Sequence, residues 1–299
     1  MKFNKSITTL TIIIGVLSLI ACTYGVFSND GDGKYEIVSF RGEEVSIYGK
    51  GLYKNDSVSL VTQGISQDIV TIILAIPLLF ISLCLARKGS LKGKLLLTGT
   101  IGYFLYTYMS YTFLWMYNEF FLVYVTIMST STFAFILAIM SLDIQKLKSS
   151  FTEKVPIRFL GGFQILLGIG LTMMWLKRIM SPIFNNESPT GLEHYTTMVI
   201  QAMDLAFIVP IAFLSGILIL KKNSYGYLLT SIMIFKGATL GAAVTAMIIG
   251  QAFNGVDISS VEIIMFTLIT LITSYCLFLL LKNIKEPDAS KTTSNVLRQ

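Results

Sequence analysis

Charge is scarce in this chain. Only 13% of its 299 residues are Asp, Glu, Lys or Arg, against 54% hydrophobic ones, too little polar surface to cover a soluble globule of this size. There is one histidine, His194, and it stands beside Glu193; a metal site needs more ligands than that pair, so no metal site is expected. The three cysteines, Cys22, Cys84 and Cys276, all fall inside apolar runs, which leaves no loop disulfide. HExxH, GxSxG, a Cys/His pair and paired deep carboxylates are missing, and with them the usual signs of a membrane-embedded enzyme. There is no P-loop, which excludes ATP-driven transport by this chain alone as far as a motif can. No cofactor is implied. A retinal Schiff base on Lys236 would have only Trp115 and Trp175 to sandwich the polyene, and would sit in the penultimate span.

What is present is long apolar stretches, and the mean hydropathy is +0.71. A spanning helix needs about 20 such residues, because the hydrocarbon layer is about 30 Å thick and each residue rises about 1.5 Å. Eight segments qualify, near 7–27, 69–86, 95–117, 120–142, 159–176, 195–220, 225–251 and 260–281. The expected fold is therefore an all-α polytopic bundle, one transmembrane domain over 1–285. Lys and Arg set its orientation, since cytoplasmic loops retain them. With the N-terminus inside, sixteen of the 23 basic residues are cytoplasmic, among them Arg87, Lys88, Lys92 and Lys94 of "ARKGSLKGK". Both termini are then cytoplasmic. The net charge of +6 reads as a topology signal and an affinity for anionic headgroups, with the lipid bilayer as partner and no nucleic acid. No oligomeric state is legible.

The first span ends in "LIAC", which resembles a lipoprotein cleavage signal at Cys22, but the apolar run continues through Phe27 and reads as an uncleaved helix. The one sizeable loop, 28–68, alternates in "YEIVSF" and "VSIYGKGLY" around "RGEE", as an outer β-hairpin would. Asp68, after Ser66 and Gln67, reads as the cap of the second span, and Ser259 with Glu262 as a capping box on the last. The tail 286–299 is polar and reads as disordered. "GLYKNDSVS…QDIVT", "RKGSLKGKLLLTGTIGYFLYTYMSYTF", "QAMDLAFIVPIA" and "FKGATLGAAVTAM" together resemble an uncharacterised family of bacterial multi-pass inner-membrane proteins, over most of 50–250. The resemblance implies a bacterial cytoplasmic membrane and no particular activity.

Two ionisable residues stand deep in the spans, Asp204 and Lys236. A charge at that depth costs several kcal/mol unless paired or hydrated. The sixth and seventh spans form an antiparallel hairpin, which places Asp204 roughly 24 Å and Lys236 roughly 16 Å above their cytoplasmic ends, an offset of about 8 Å that is near the joint reach of the two side chains with the help of a water. Thr197, Gln201 and Asp204 follow helical spacing as a polar stripe. Pro210 frees the carbonyl of Ala206. Gly237 and Gly241 form a GxxxG packing face beside Lys236. Tyr103 and Tyr106 of the third span lie deep enough to bond a neighbouring helix or line a pocket, whereas Tyr111, Trp115 and Tyr117 read as an interfacial belt. "STST" (129–132) and Gln164 read as packing contacts. The pair Asp204 and Lys236 is either a staple that sets helix register or a midplane site for a small molecule, ion or proton. The second option makes the chain a small-solute or proton-coupled secondary transporter. The other class is a membrane sensor or assembly protein that uses the outer hairpin and the "RKGSLKGK" loop as contact surfaces. Spacing of the helix pairs shows no clear inverted repeat.

Overall fold

The computed structural model describes residues 3–286 apart from 186, 190 and 257. Eight long helices dominate: α1 (Asn4–Phe27), α2 (Val58–Arg87), α3 (Leu91–Phe113), α4 (Phe121–Met140), α5 (Ile157–Asn185), α6 (Val199–Leu220), α7 (Ser224–Phe253) and α8 (Ser260–Asn283). Seven are long and apolar enough to cross a bilayer; α3 is not among them. Its middle carries Thr98, Thr100, Tyr103, Tyr106, Thr107 and Tyr108, and most of its residues are buried by the other helices. A helix surrounded by protein need not be apolar to lipid. The outward faces of the rest are apolar, with Val16, Leu122, Phe133, Leu166, Met173 and Leu271 exposed. So large an apolar surface is stable against lipid and not against water. The chain is an integral membrane protein, an all-α bundle with a small hairpin.

That hairpin pairs β1 (Tyr35–Val38) with β2 (Glu44–Ile47), Tyr35 opposite Ile47 and Val38 opposite Glu44. It buries Val45 and Ile47 but has no core of its own. Its loop is tied to the α5–α6 connection. The Arg41 guanidinium donates to the carbonyls of Glu193 and Tyr195. The Tyr195 hydroxyl accepts from the Ser57 amide and donates to the Asp56 carboxylate, both at 3.1 Å. His194 sits with Nε2 3.2 Å from the Asn55 carbonyl.

Several boundaries differ from the sequence reading. Helix α5 runs on to Asn185 where 176 was expected, and α3 lies four residues earlier than expected. The starts of α2 and α6 shift with the most consequence for the site. Helix α2 begins at Val58, where Ser57 caps it by accepting from the Leu60 amide. Ser66, Gln67 and Asp68 are thus helix interior and not a cap. The apolar run begins at 69, but an amphipathic turn before it already buries Val61, Gly64 and Asp68. Helix α6 begins only at Val199, which leaves Tyr195 and Thr197 in the loop. The expected cap of α8 is in place, Ser259 accepting from the Val261 amide. At the end of the bundle opposite the hairpin, Glu286 accepts from Ser90 Oγ and from the Leu91 and Lys92 amides, which caps α3. The remainder of the tail read as disordered, 287–299, lies outside the described residues.

The helices α2–α3 and α6–α7 repeat each other at a constant offset of 133 positions (204 minus 71). Helix α2 widens to π geometry over Thr71–Ala75 and resumes at Ile76; α6 widens over Asp204–Ile208 and resumes at Val209. Both second segments end at matching positions, Arg87 and Leu220, and the following helices start at Leu91 and Ser224. The cause of the widening is the same in each: Pro77 and Pro210 cannot bond the carbonyls of Ile73 and Ala206, which fall inside the widened turns. The connecting turns match too, with left-handed Gly89 and Lys222 followed by the caps Ser90 and Asn223. Gly93 and Gly226 occupy equivalent close approaches, against Leu85–Ala86 and Leu218–Ile219, where a Cβ would meet backbone. An even number of helices separates the copies, so they point the same way; the repeat is parallel, and a search for inverted spacing passes over it. Gly99 of α3 packs on Phe235 and on the Ile232 carbonyl of α7. Position 232 is the counterpart of 99, so the two copies touch at equivalent positions.

Candidate functional site

Asp204 is the first residue of the widened turn in α6 and is 8% exposed. Its Oδ1 accepts from the Tyr106 hydroxyl of α3 at 2.7 Å, and its Oδ2 from Trp175 Nε1 of α5 at 2.9 Å. Lys236 of α7 is 7% exposed, its Nζ 3.9 Å from the centre of the Tyr106 ring. No ion pair joins the two: among the described residues the one salt bridge is Lys146–Asp143, in an exposed connection. Tyr106 stands between them instead. It gives its hydroxyl to the carboxylate and its ring face to the ammonium, a cation–π contact. The geometry therefore brings together Asp204, Lys236 and Tyr106, and adds Trp175, which sequence reasoning had weighed only as a wall for a polyene. An indole N–H must find an acceptor when buried, and this was the available signal.

The remaining expected site residues divide. Gln201 is buried one turn before Asp204. Thr197 is exposed and outside α6, so the polar stripe is one residue shorter than its spacing suggested. Tyr103 is fully buried but turns to α2, where its hydroxyl meets Thr71 Oγ1 at 2.7 Å. By the repeat, Thr71 and Tyr103 are the counterparts of Asp204 and Lys236. Gly237 and Gly241 face α8, where a Cβ would come 3.3 Å from Thr273 Cγ2 and 2.8 Å from Thr270 Oγ1.

A second buried carboxylate, Asp68, expected as a helix cap, lies inside the protein near the hairpin end of α1. It is 2% exposed and accepts from the Tyr53 hydroxyl at 2.6 Å and the Tyr111 hydroxyl at 2.9 Å. Tyr111 is 3% exposed, so it is a core residue and not part of an interfacial belt; Tyr117, at 77%, is the exposed one. Helical spacing of Val61, Gly64 and Asp68 was the signal that could have placed Asp68 inside. Among the described residues no three His, Cys, Asp or Glu side chains group as metal ligands would. No protein-family model, no curated protein and no solved structure matches the chain.

Proposed function

We propose that the protein is a small-solute, proton-coupled secondary transporter of a bacterial cytoplasmic membrane, with both termini inside and Asp204, Tyr106 and Lys236 contacting the solute. One observation carries this reading: a carboxylate stands at the first residue of a proline-widened turn in one of two parallel repeats and is bonded to a tyrosine of the other. Secondary carriers place their sites where a span departs from regular helix at a repeat interface, since freed backbone carbonyls are tolerated only when they face protein or a cavity. A carboxylate and an ammonium on either side of a phenol would complement a solute that carries both an amine and an acid. Trp175 holds the carboxylate in place.

The experiment is solid-supported-membrane recording from proteoliposomes challenged with separate pools of amino acids, sugars, organic acids and organic cations. At least one pool should give a transient current that Asp204→Asn and Lys236→Met each reduce at least about tenfold, the loss expected when one partner of a buried charged contact is removed. Silence with every pool from protein that melts normally would favour the sensor reading instead, in which the hairpin loop tied down by Arg41 and Tyr195 is the receiving surface.

A further inference from the structure

Asp68 has no part in the solute site, yet it is among the most enclosed carboxylates of the chain. Every element around it brings a neutral group. The turn at Gly51–Tyr53 brings Tyr53, α3 brings Tyr111 and Tyr108, α1 brings Cys22, whose Sγ lies 3.6 Å from the Tyr108 hydroxyl, and α4 brings Tyr124. No cation touches it among the described residues. Gly25 of α1 lets that helix close over the acid, since a Cβ there would run into Asp68 Oδ2 and the Tyr53 hydroxyl.

An unpaired carboxylate so far from water is strongly disfavoured as a charge. A polar group that served packing alone would not need to be an acid, and at the counterpart position in the second repeat stands an amide, Gln201. We propose that Asp68 is a separate site that binds and releases the coupling proton. On uptake the carboxylate becomes a carboxylic acid with one O–H to donate, so one of the two tyrosines turns from donor to acceptor; on release the ion is held by both.

Two features connect this site to its surroundings. Tyr53 lies on a turn held by the Ser28 hydroxyl, which accepts from the Leu52 amide at 2.8 Å. Above that turn a recess of about 170 Å³ opens between Tyr24, Gly51, Asn55 and Asn118. Lifting the turn would join Asp68 to that recess, so Tyr53 is the gate. On the other side α3 holds both acids at once: Tyr111 donates to Asp68 and Tyr106, five residues earlier, to Asp204. A rotation of this one helix changes both contacts, which is how proton binding would reach the solute site.

This proposal rests on the transporter reading for its coupling role, but the protonation itself is tested apart from it. Infrared difference spectra of the full chain in liposomes, titrated with acid and base in H₂O and D₂O, should show a carboxylic-acid carbonyl band. Because the buried carboxyl of Asp56 adds a band of its own, the spectra are taken in an Asp56→Asn background, where the band should persist on adding Asp204→Asn and vanish on adding Asp68→Asn. Tyr111→Phe, which removes one hydroxyl and keeps the ring, should shift the band and its midpoint, which covers the case that Asp68→Asn does not fold. A band unchanged in both variants would overturn the proposal. So would its absence in the Asp56→Asn background at every pH at which the protein is folded. In the current assay Asp68→Asn should abolish the stimulation by an inward proton gradient while the solute that drives the current still raises the melting temperature. If no solute gives a current, the transporter reading fails and the infrared result still decides Asp68.

Discussion

Tyr106 is the residue on which the two deep charges depend. Asp204 accepts its hydroxyl, and Lys236 lies over its ring. Asp204→Asn and Lys236→Met should each lower stability in detergent by about 2–4 kcal/mol, because each strands a buried partner. The double variant should lose less than the sum. In a Tyr106→Phe background the coupling should shrink to under about 0.5 kcal/mol, the level of independent sites, as read by double-mutant cycles of thermal unfolding. Coupling that survives Tyr106→Phe would mean that the charges interact directly or through water. At the hairpin end burial pushes the Asp56 carboxyl up to about 7, from an ordinary value of 3.8. A raised carboxyl favours the closed loop when protonated. The closed loop is therefore most stable below the ordinary carboxylate range, weakens as pH climbs toward 7, and changes little above it. A spin label at position 55 should be immobile near pH 5 and gain a mobile fraction by pH 8; Asp56→Asn should flatten that response. Nearby His194 has its pKa lowered by burial and carries its own dependence, which the Asp56→Asn control leaves in place.

At the scale of elements, the two hairpins are built from the same devices. Gly93 and Gly226 each let a helix start press on the end of the one before it. Alanine at either should cost about 1–3 kcal/mol, because the added methyl meets backbone that cannot step aside. Gly162 and Gly170 of α5 meet nothing within 4 Å. Alanine there should be neutral or stabilise by up to about 1 kcal/mol through helix propensity. Thermal melts of the four variants check this; equal losses at all four would remove the special role of the paired glycines. Helix positions were legible because hydrophobic runs of bilayer length have few other uses. Their starts were not. The 58–68 turn of α2 is amphipathic and escapes a reading based on continuous apolarity, and the start of α6 at Val199 is set by how the preceding loop binds Arg41 and Asp56.

For the whole molecule, the placement of Lys and Arg predicts that the hairpin faces outward. Cysteines placed at Lys50 and Asn185 should react with an impermeant maleimide in intact cells, and cysteines at Gly89 and Lys146 should not; labelling at 89 from outside would reverse the bundle. The turn at 89 is the counterpart of that at 222, so a label at 222 should behave as 89 does.

The sequence by itself determined that this is a membrane protein of bundled helices, that an ammonium and a carboxylate stand at depth, and that a strand hairpin interrupts the first loop. Each of these follows from local composition, because solvent chemistry acts on every stretch of chain alike. Only the tertiary structure decided the partners. Whether Asp204 would meet Lys236 or Tyr106, whether Asp68 would cap a helix or lie sealed among tyrosines, and whether Tyr111 would face lipid or core all depend on which helices adjoin. The parallel repeat became visible in the same way, through matched π turns, capping residues and glycine contacts. Those depend on backbone geometry that different side chains can share, as Ser90 and Asn223 do in capping the two helix starts.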